Sequence, residues 1–406
     1  MNAEVHFSRY DRLNETLAGL NQSGVPLVAV DSHSLAPAGA GDDPGLFYVI
    51  PQLAHSLGIS IDQSLVLFFG AAWLLTATVA VVAIYFLCQT WFRRTIAWAA
   101  LAVLFGAVHV IGGGKAGCFL YDLYALGPIA VIPLFLCLAR KPMPRLRIDW
   151  IAGCIAAGLG LGLLNSMRAH AGTLCALFAL LVAGCCLQAS WWRKALLAAS
   201  LLAGGILPWY AFHVMLHNRD QFLAAQQPGY QVPPHQHVIW HSVYVGLGYL
   251  AKGEHYGLGY SDAAAINKVR ATYPEADYWS PVYEPTLRSA VLDVATHHPL
   301  YVCTTVFAKL GVLFFYLLTF ANVGLVAAWR YPKKKELELA FWATLAFSGL
   351  PCLVMGPEPN FSLGFMAVAT LYGVASLNHA LQQRAARTTS SQGVASPQPT
   401  PASLAA

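Results

Sequence analysis

Nine long apolar runs divide this chain, and the connections between them alternate in charge. The runs fall near 63–88, 95–112, 119–139, 150–166, 170–189, 195–215, 302–329, 338–356 and 361–381. Each approaches the roughly 20 residues that a helix needs to cross a bilayer core. None shows the period-two alternation of a membrane β-strand. Every second connection is basic: Arg93 and Arg94; Arg140, Lys141, Arg145 and Arg147; Arg193 and Lys194; Arg330 with Lys333 to Lys335; Arg384 and Arg387. These hold fourteen of the 24 basic residues but only Asp149, Glu336 and Glu338 of the 19 acidic ones. Basic connections stay in the cytoplasm, so residues 1–62 and the long connection 216–299 belong outside. With 57% of residues hydrophobic and 11% charged, the expectation is an all-α polytopic membrane protein. It has about nine transmembrane helices and a mainly α outer loop domain. The net charge of +5 is then a topology signal and gives no support to nucleic-acid binding.

Five parts follow: an extracytoplasmic segment 1–62, a first helix block 63–215, an outer loop domain 216–299, a second helix block 300–381, and a tail 382–406. The tail is biased to Ser, Thr, Pro and Ala and is expected to be a disordered cytoplasmic segment. Charge parity exports residues 1–62, yet Met1 to Gly24 contains no apolar stretch to carry them. The expectation is a further helix upstream, or unaided translocation of a short segment. Eight of the nine cysteines (Cys88, Cys137, Cys154, Cys175, Cys185, Cys186, Cys303, Cys352) fall in the runs and Cys118 in an outer loop, without a C-x-x-C. They read as packing residues rather than as disulfides or zinc ligands.

The outer side carries the residues that can do chemistry. "GAGDDPG" places Asp42 and Asp43 in a tight turn, and "LFYVIPQLAHSLG" spaces Leu46, Ile50, Leu53 and Leu57 as on a surface helix. The pair would face outward at the membrane surface. Two adjacent carboxylates can supply a general base, or oxygen ligands to a divalent cation. They can equally cap the positive end of the next helix, and the residues alone leave this open. Cations stand at the outer ends of three runs: Lys115 in a glycine loop, Arg168 beside His170, and Lys309. Charge at that depth suggests a phosphate-binding role, with snorkelling to the surface as the plain alternative. Tyr121 and Asp122 follow Lys115 and either complete an acidic site or mark the interface. In the long loop, His235, His237 and His241 lack the partners of a metal site. Trp240, Tyr244 and Tyr249 are expected to form an aromatic surface facing membrane or sugar, with the histidines hydrogen-bonded around it.

Assembled, these features resemble the GT-C superfamily of membrane glycosyltransferases. Its members include protein O-mannosyltransferases, the lipid A aminoarabinose transferase and the oligosaccharyltransferase catalytic subunit. The resemblance rests on "GDDPGLFYVIP", an interfacial helix, Lys115 and Asp122 in the next outer loop, and the late insertion. "MRAHAGT", "IWHSVYVGLGYL" and "DYWSPVYEPTLRSAVLDVATHHP" resemble an uncharacterised bacterial branch. It implies a first helix, expected upstream of Met1, and a site facing the periplasm from the bacterial inner membrane. It also implies inverting transfer from a polyprenyl-phosphate-sugar donor to a glycan, lipid or protein acceptor. Asp42 or Asp43 would be the base. Lys115, Arg168 and Lys309 would hold the departing phosphate, with Tyr121, Asp122, His170, His237, Trp240 and His241 as further substrate contacts. Three other readings remain: an O-antigen-type polymerase or ligase working through Arg and His, a non-enzymatic transporter or flippase, and an inactive relic.

Overall fold

The computed structural model describes residues 9–31, 34–39, 43–112, 119–140, 148–232, 239–276 and 280–392. Asp42, Lys115, Lys141, Arg145, Arg147, His235, His237 and Cys118 lie outside the described residues. So do the last residues of the tail, from Gly393.

The apolar runs become helices. These are α3 (Ile61–Leu87), α4 (Trp91–Ile111), α5 (Leu123–Ala139, entered through the 3₁₀ turn Leu120–Asp122), α6 (Ile148–Met167), α7 (Ala171–Leu181), α8 (Trp191–Gln226), α12 (Pro299–Arg330), α13 (Lys335–Val354) and α14 (Pro359–Gln392). Eight are long and apolar enough to cross a membrane. The remaining one, α7, continues as a π-turn through Val182–Cys186 to make a shorter apolar helix, Ala171–Cys186. The chain is an all-α polytopic membrane protein.

The interior of the bundle is α5, α7 and α14, whose faces are the most enclosed. Outer helices turn Val66, Leu74, Phe86, Trp209 and Phe314 outward, as helices bathed in lipid should. Small residues allow closest approach. A side chain on Gly158 or Gly204 would run into the backbone of the other's helix, locking α6 to α8, and Gly324 meets Gly373 where α12 crosses α14. Helix α12 is broken at Asn322, which leaves helical backbone angles.

The basic connections gather at one end. Arg140 Nη1 donates to the Leu87 carbonyl, Arg93 reaches Asn378, and Arg387 lies over Tyr331. Opposite this basic end, which the charge rule places in the cytoplasm, sits the outer end.

Three features depart from the sequence reading. First, residues 9–57 fold as α1 (Arg9–Ser23), a two-stranded antiparallel hairpin of β1 (Val28–Asp31) and β2 (Ser34–Pro37), and α2 (Pro44–Leu57). Helix α2 buries Leu46, Phe47, Ile50 and Ala54 against protein and leaves Leu57 exposed. Leu46 and Ile50 lie on the face expected for them, while Phe47 and Ala54 are buried in place of Leu53 and Leu57, where α1, α3 and α6 cover the helix. Second, α8 spans about 54 Å at 1.5 Å per residue, well beyond a bilayer core, and its last turns brace the hairpin. Gln227 Nε2 donates to the Leu35 carbonyl across the junction. Third, α14 runs on to Gln392 through "LQQRAARTT", whose Gln, Arg and Ala are good helix formers. The tail expected to be disordered from Gln382 is therefore helical over its first part.

The outer loop domain comprises α9 (Ile239–Leu247), a 3₁₀ segment Ala251–Tyr256, α10 (Asp262–Arg270) and α11 (Tyr283–His297). It has its own core, in which Leu287, Val291 and Val294 of α11 meet Tyr244, Leu258 and Val269. Gly246 seats it on the bundle, packed against the Val354 and Met355 carbonyls where α13 ends.

Candidate active site

The turn "GDDPG" ends with Asp43 in the left-handed region (φ 50°, ψ 45°), Pro44 in the first turn of α2, and Gly45. Asp is one of the few residues that tolerates that conformation, and proline at the first helical position has the right φ already. Gly45 does the placing. A Cβ there would stand 2.8–2.9 Å from Ser166 and Met167 backbone atoms, so only glycine lets α2 begin against the end of α6. One residue beyond that end is Arg168.

The result is an ion pair. Arg168 Nη1 lies 3.0 Å from Asp43 Oδ2, and Arg9 Nε of α1 lies 3.5 Å from the same oxygen. The Asp43 side chain is fully inaccessible, and its Oδ1 has no hydrogen-bond partner among the described residues. Two sequence expectations are corrected here. Asp43 does not face outward, because two guanidinium groups and the first turn of α2 close over it. Nor does its carboxylate cap α2: Asp43 stands at the N-cap position, but its side chain makes no capping hydrogen bond.

Aromatic rings complete the pocket around Arg168. Its guanidinium sits 4.9 Å from the Tyr121 ring centre and 5.7 Å from that of Tyr124, a favourable cation–π geometry. Tyr124 also donates to the Ala169 carbonyl at 3.0 Å, fixing the turn that carries Arg168. His170 enters α7 in a left-handed conformation, exposed, with its ring against Phe347. Of the four non-glycine residues with positive φ among the described residues, Asp43, Phe119 and His170 flank this cluster. Such strain costs on the order of 1–3 kcal/mol per residue and concentrates at working sites.

Asp122 is buried one residue from Tyr121, accepting from Trp73 Nε1 at 3.0 Å with its Oδ1 against Gly112. Lys309 is far less available than its position suggests. It is buried, and its ammonium donates to the carbonyls of Leu353, Val354 and Met355 at 2.9, 3.3 and 3.3 Å. Three donors meet three acceptors. Lys309 closes the C-terminal end of α13, whose last carbonyls otherwise lack partners. The phosphate-binding role expected for it has no donor left to act through.

In the outer domain, the Glu284 carboxylate accepts from the backbone N–H groups of Trp240 and His241 at 2.9 and 3.0 Å, capping α9. His241 is buried, with Nδ1 2.8 Å from the Tyr283 hydroxyl and Nε2 3.1 Å from Asp262 Oδ1. A neutral ring donating from Nε2 and accepting at Nδ1 satisfies both. That hydrogen bond holds the exposed Asp262 carboxyl below its ordinary range, and Arg9 adds to the lowering. Arg9, which pairs with Asp43, is thus also felt by Asp262. Burial pushes the Tyr283 phenol up. The expected aromatic surface is corrected for Tyr244, which is buried and donates to the Gly257 carbonyl. Trp240 is half-buried near Arg288, and Tyr249 packs edge-on to Tyr260.

Sequence reasoning missed the braces of the site. Arg219, fully buried, donates to Asp220 Oδ1 at 2.8 and 2.6 Å and to the Ala38 carbonyl at 2.6 Å, while Tyr230 donates to the same Asp220 oxygen. This fixes the chain just before the acidic turn. A signal existed: Arg219 and Asp220 adjoin at the outer end of a long apolar run. Arg9 carried no comparable mark. For a divalent cation, no cluster of three His, Cys, Asp or Glu is found among the described residues.

No family model matches the chain, and no curated protein matches it. Among solved structures it is similar to ArnT from Cupriavidus metallidurans in the apo state, at 16% identity and a TM-score of 0.34, over 94% of this chain and 74% of that one. A likeness that loose bears on neither residue roles nor activity.

Proposed function

We propose that this protein is a membrane glycosyltransferase of the GT-C kind, using a polyprenyl-phosphate-linked sugar at the outer face of the bilayer. The observation that carries the reading is the Asp43–Arg168 pair, built where the spans emerge and braced from α1, α2, α6 and α8. A lipid-linked donor presents its phosphate and sugar at that level. A base must wait there in fixed geometry, and positioning of this kind is a large part of catalysis.

The two carboxylates divide the work. A base has to touch the acceptor hydroxyl, and Asp43, enclosed by Arg168 and Arg9, does not. Asp42 is therefore assigned the base, and Asp43 is a positioning residue that anchors the turn. Asp42 takes the acceptor proton as the acceptor oxygen bonds to the anomeric carbon from the face opposite the leaving group. The carbon–oxygen bond to phosphate breaks, the polyprenyl phosphate departs with the electron pair, and configuration inverts. Lys115 and Arg168 are assigned to the charge developing on that phosphate. The polymerase or ligase alternative finds less support, because His241 has both ring nitrogens engaged within the outer domain.

The test is a cellular glycolipid or glycan assay on Asp42→Asn and Asp43→Asn, singly and together. Asp42→Asn should lose about 10²- to 10⁴-fold in rate with unchanged unfolding, whereas Asp43→Asn should lose activity together with stability. Full activity in Asp42→Asn removes the assigned base, and full activity in the double variant removes the enzyme reading.

A further inference from the structure

A cavity of about 350 Å³ opens at the basic end, across the bundle from Asp43. That is the size of a small ligand pocket, for which roughly 300–1,000 Å³ is usual. Its walls are apolar and come from helices distant in sequence, with Leu101 of α4, Leu136 of α5, and Leu371 and Val374 of α14 among them. Its mouth is polar. Arg140, Lys333, Lys334 and Gln382 line it, and Arg93, which does not line it, shares Gln382 with Arg140.

Cations outnumber carboxylates here: Arg140, Lys333 and Lys334 line the cavity, against Glu338 and the nearby Glu336. Glu338 is committed, 2.7 Å from Lys333 Nζ and accepting from the Tyr372 hydroxyl at 3.0 Å. Lys333 also donates to Ser376. Arg93, Arg140 and Lys334 have no carboxylate partner among the described residues. With the Gln382 amide turned to present its oxygen, Arg93 Nη1 and Arg140 Nη2 converge on that one neutral acceptor at 3.1 and 3.3 Å. Guanidinium groups brought together without an anion repel. An apolar slot between spans, with a cluster of cations at its cytoplasmic lip, is complementary to an anionic lipid.

We infer that this cavity binds an anionic glycerophospholipid, one acyl chain lying along Leu101, Leu136 and Val374 and the phosphate between Arg140 and Lys334. The ligand is a structural lipid of the inner leaflet. Its site is separate from the acidic turn and independent of the glycosyltransferase reading.

Native mass spectrometry of the full purified chain, titrated with phosphatidylglycerol or phosphatidylcholine of equal chain length, tests it. Phosphatidylglycerol should be retained at least about tenfold more strongly, the difference that a few charge contacts produce. Arg140→Gln with Lys334→Gln should erase the preference. Ala375→Phe, which fills the cavity and alters no charge, should reduce uptake of both lipids. Unfolding midpoints certify that each variant is folded, and the charge variant serves alone if Ala375→Phe is not. Equal retention of the two lipids, or unchanged preference in the charge variant, overturns the inference. Tighter retention of a polyprenyl phosphate than of phosphatidylglycerol overturns it too, by assigning the cavity to the isoprenoid lipid.

Discussion

Asp43 and Arg168 form a buried ion pair, and the cost of separating such a pair falls on the partner left behind. Asp43→Ala leaves the Arg168 guanidinium enclosed beside Tyr121 and Tyr124 without that carboxylate. It should destabilise the protein by about 3–5 kcal/mol, read as a lower unfolding midpoint in detergent. Replacing both, Asp43→Ala with Arg168→Met, should recover part of the loss. Equal losses in the single and double variants would mean the two side chains are not coupled. Lys309→Met makes a different prediction. Three carbonyls lose their donor, so stability should fall by about 1–3 kcal/mol, with faster hydrogen exchange confined to the end of α13 and its following turn. A variant that keeps its stability but loses donor affinity would return Lys309 to the substrate. At this scale, the sequence located Asp43 and Arg168 separately, because charge beside an apolar run is conspicuous. Their pairing was not legible, since they stand 125 positions apart and nothing local records the contact. Lys309 shows the opposite failure: it was conspicuous for the same reason, yet the cause of its burial is a helix end 44 residues away.

Helix placement depends on a few glycines. Gly45→Ala puts a methyl group within 3 Å of α6 backbone atoms that cannot rotate aside. Helix α2 must retreat, taking Asp43 away from Arg168. The expected result is a loss of stability of about 1–3 kcal/mol, typical of overpacking, together with a loss of the proposed transferase activity larger than the stability loss accounts for. Gly70→Ala in α3, where an added Cβ meets nothing within 4 Å, is the control and should be neutral or slightly stabilising. If both glycine variants behave alike, the close approach at Gly45 does not set the site. The elements themselves were largely legible. Run boundaries at 63–88 and 338–356 fall within a few residues of α3 and α13, since a helix in lipid must satisfy its own backbone and be apolar throughout. Outside the lipid that constraint lapses. The hairpin of β1 and β2, only four residues to a strand, and the outward extension of α8 left no periodicity strong enough to read.

At the scale of the whole molecule, every functional assignment rests on which end faces the cytoplasm. The fold groups the basic connections at one end and the acidic turn with the outer domain at the other, and the positive-inside rule then orients the bundle. Single cysteines decide whether that orientation holds. Lys252 of the outer domain and Arg384 near the end of α14 are both exposed. In a background where Cys118 of the expected outer loop and the exposed Cys185 and Cys303 are replaced by serine, Lys252→Cys should react with a membrane-impermeant maleimide in intact spheroplasts. Arg384→Cys should react only after permeabilisation. The reverse pattern would place Asp42 and Asp43 in the cytoplasm and the cation-lipped cavity outside. It would defeat the outer-face donor and the inner-leaflet lipid at once, because both depend on the same sign of the same charge asymmetry. The expected pattern supports neither ligand alone, but it puts each cluster in the leaflet where its own chemistry can be tested.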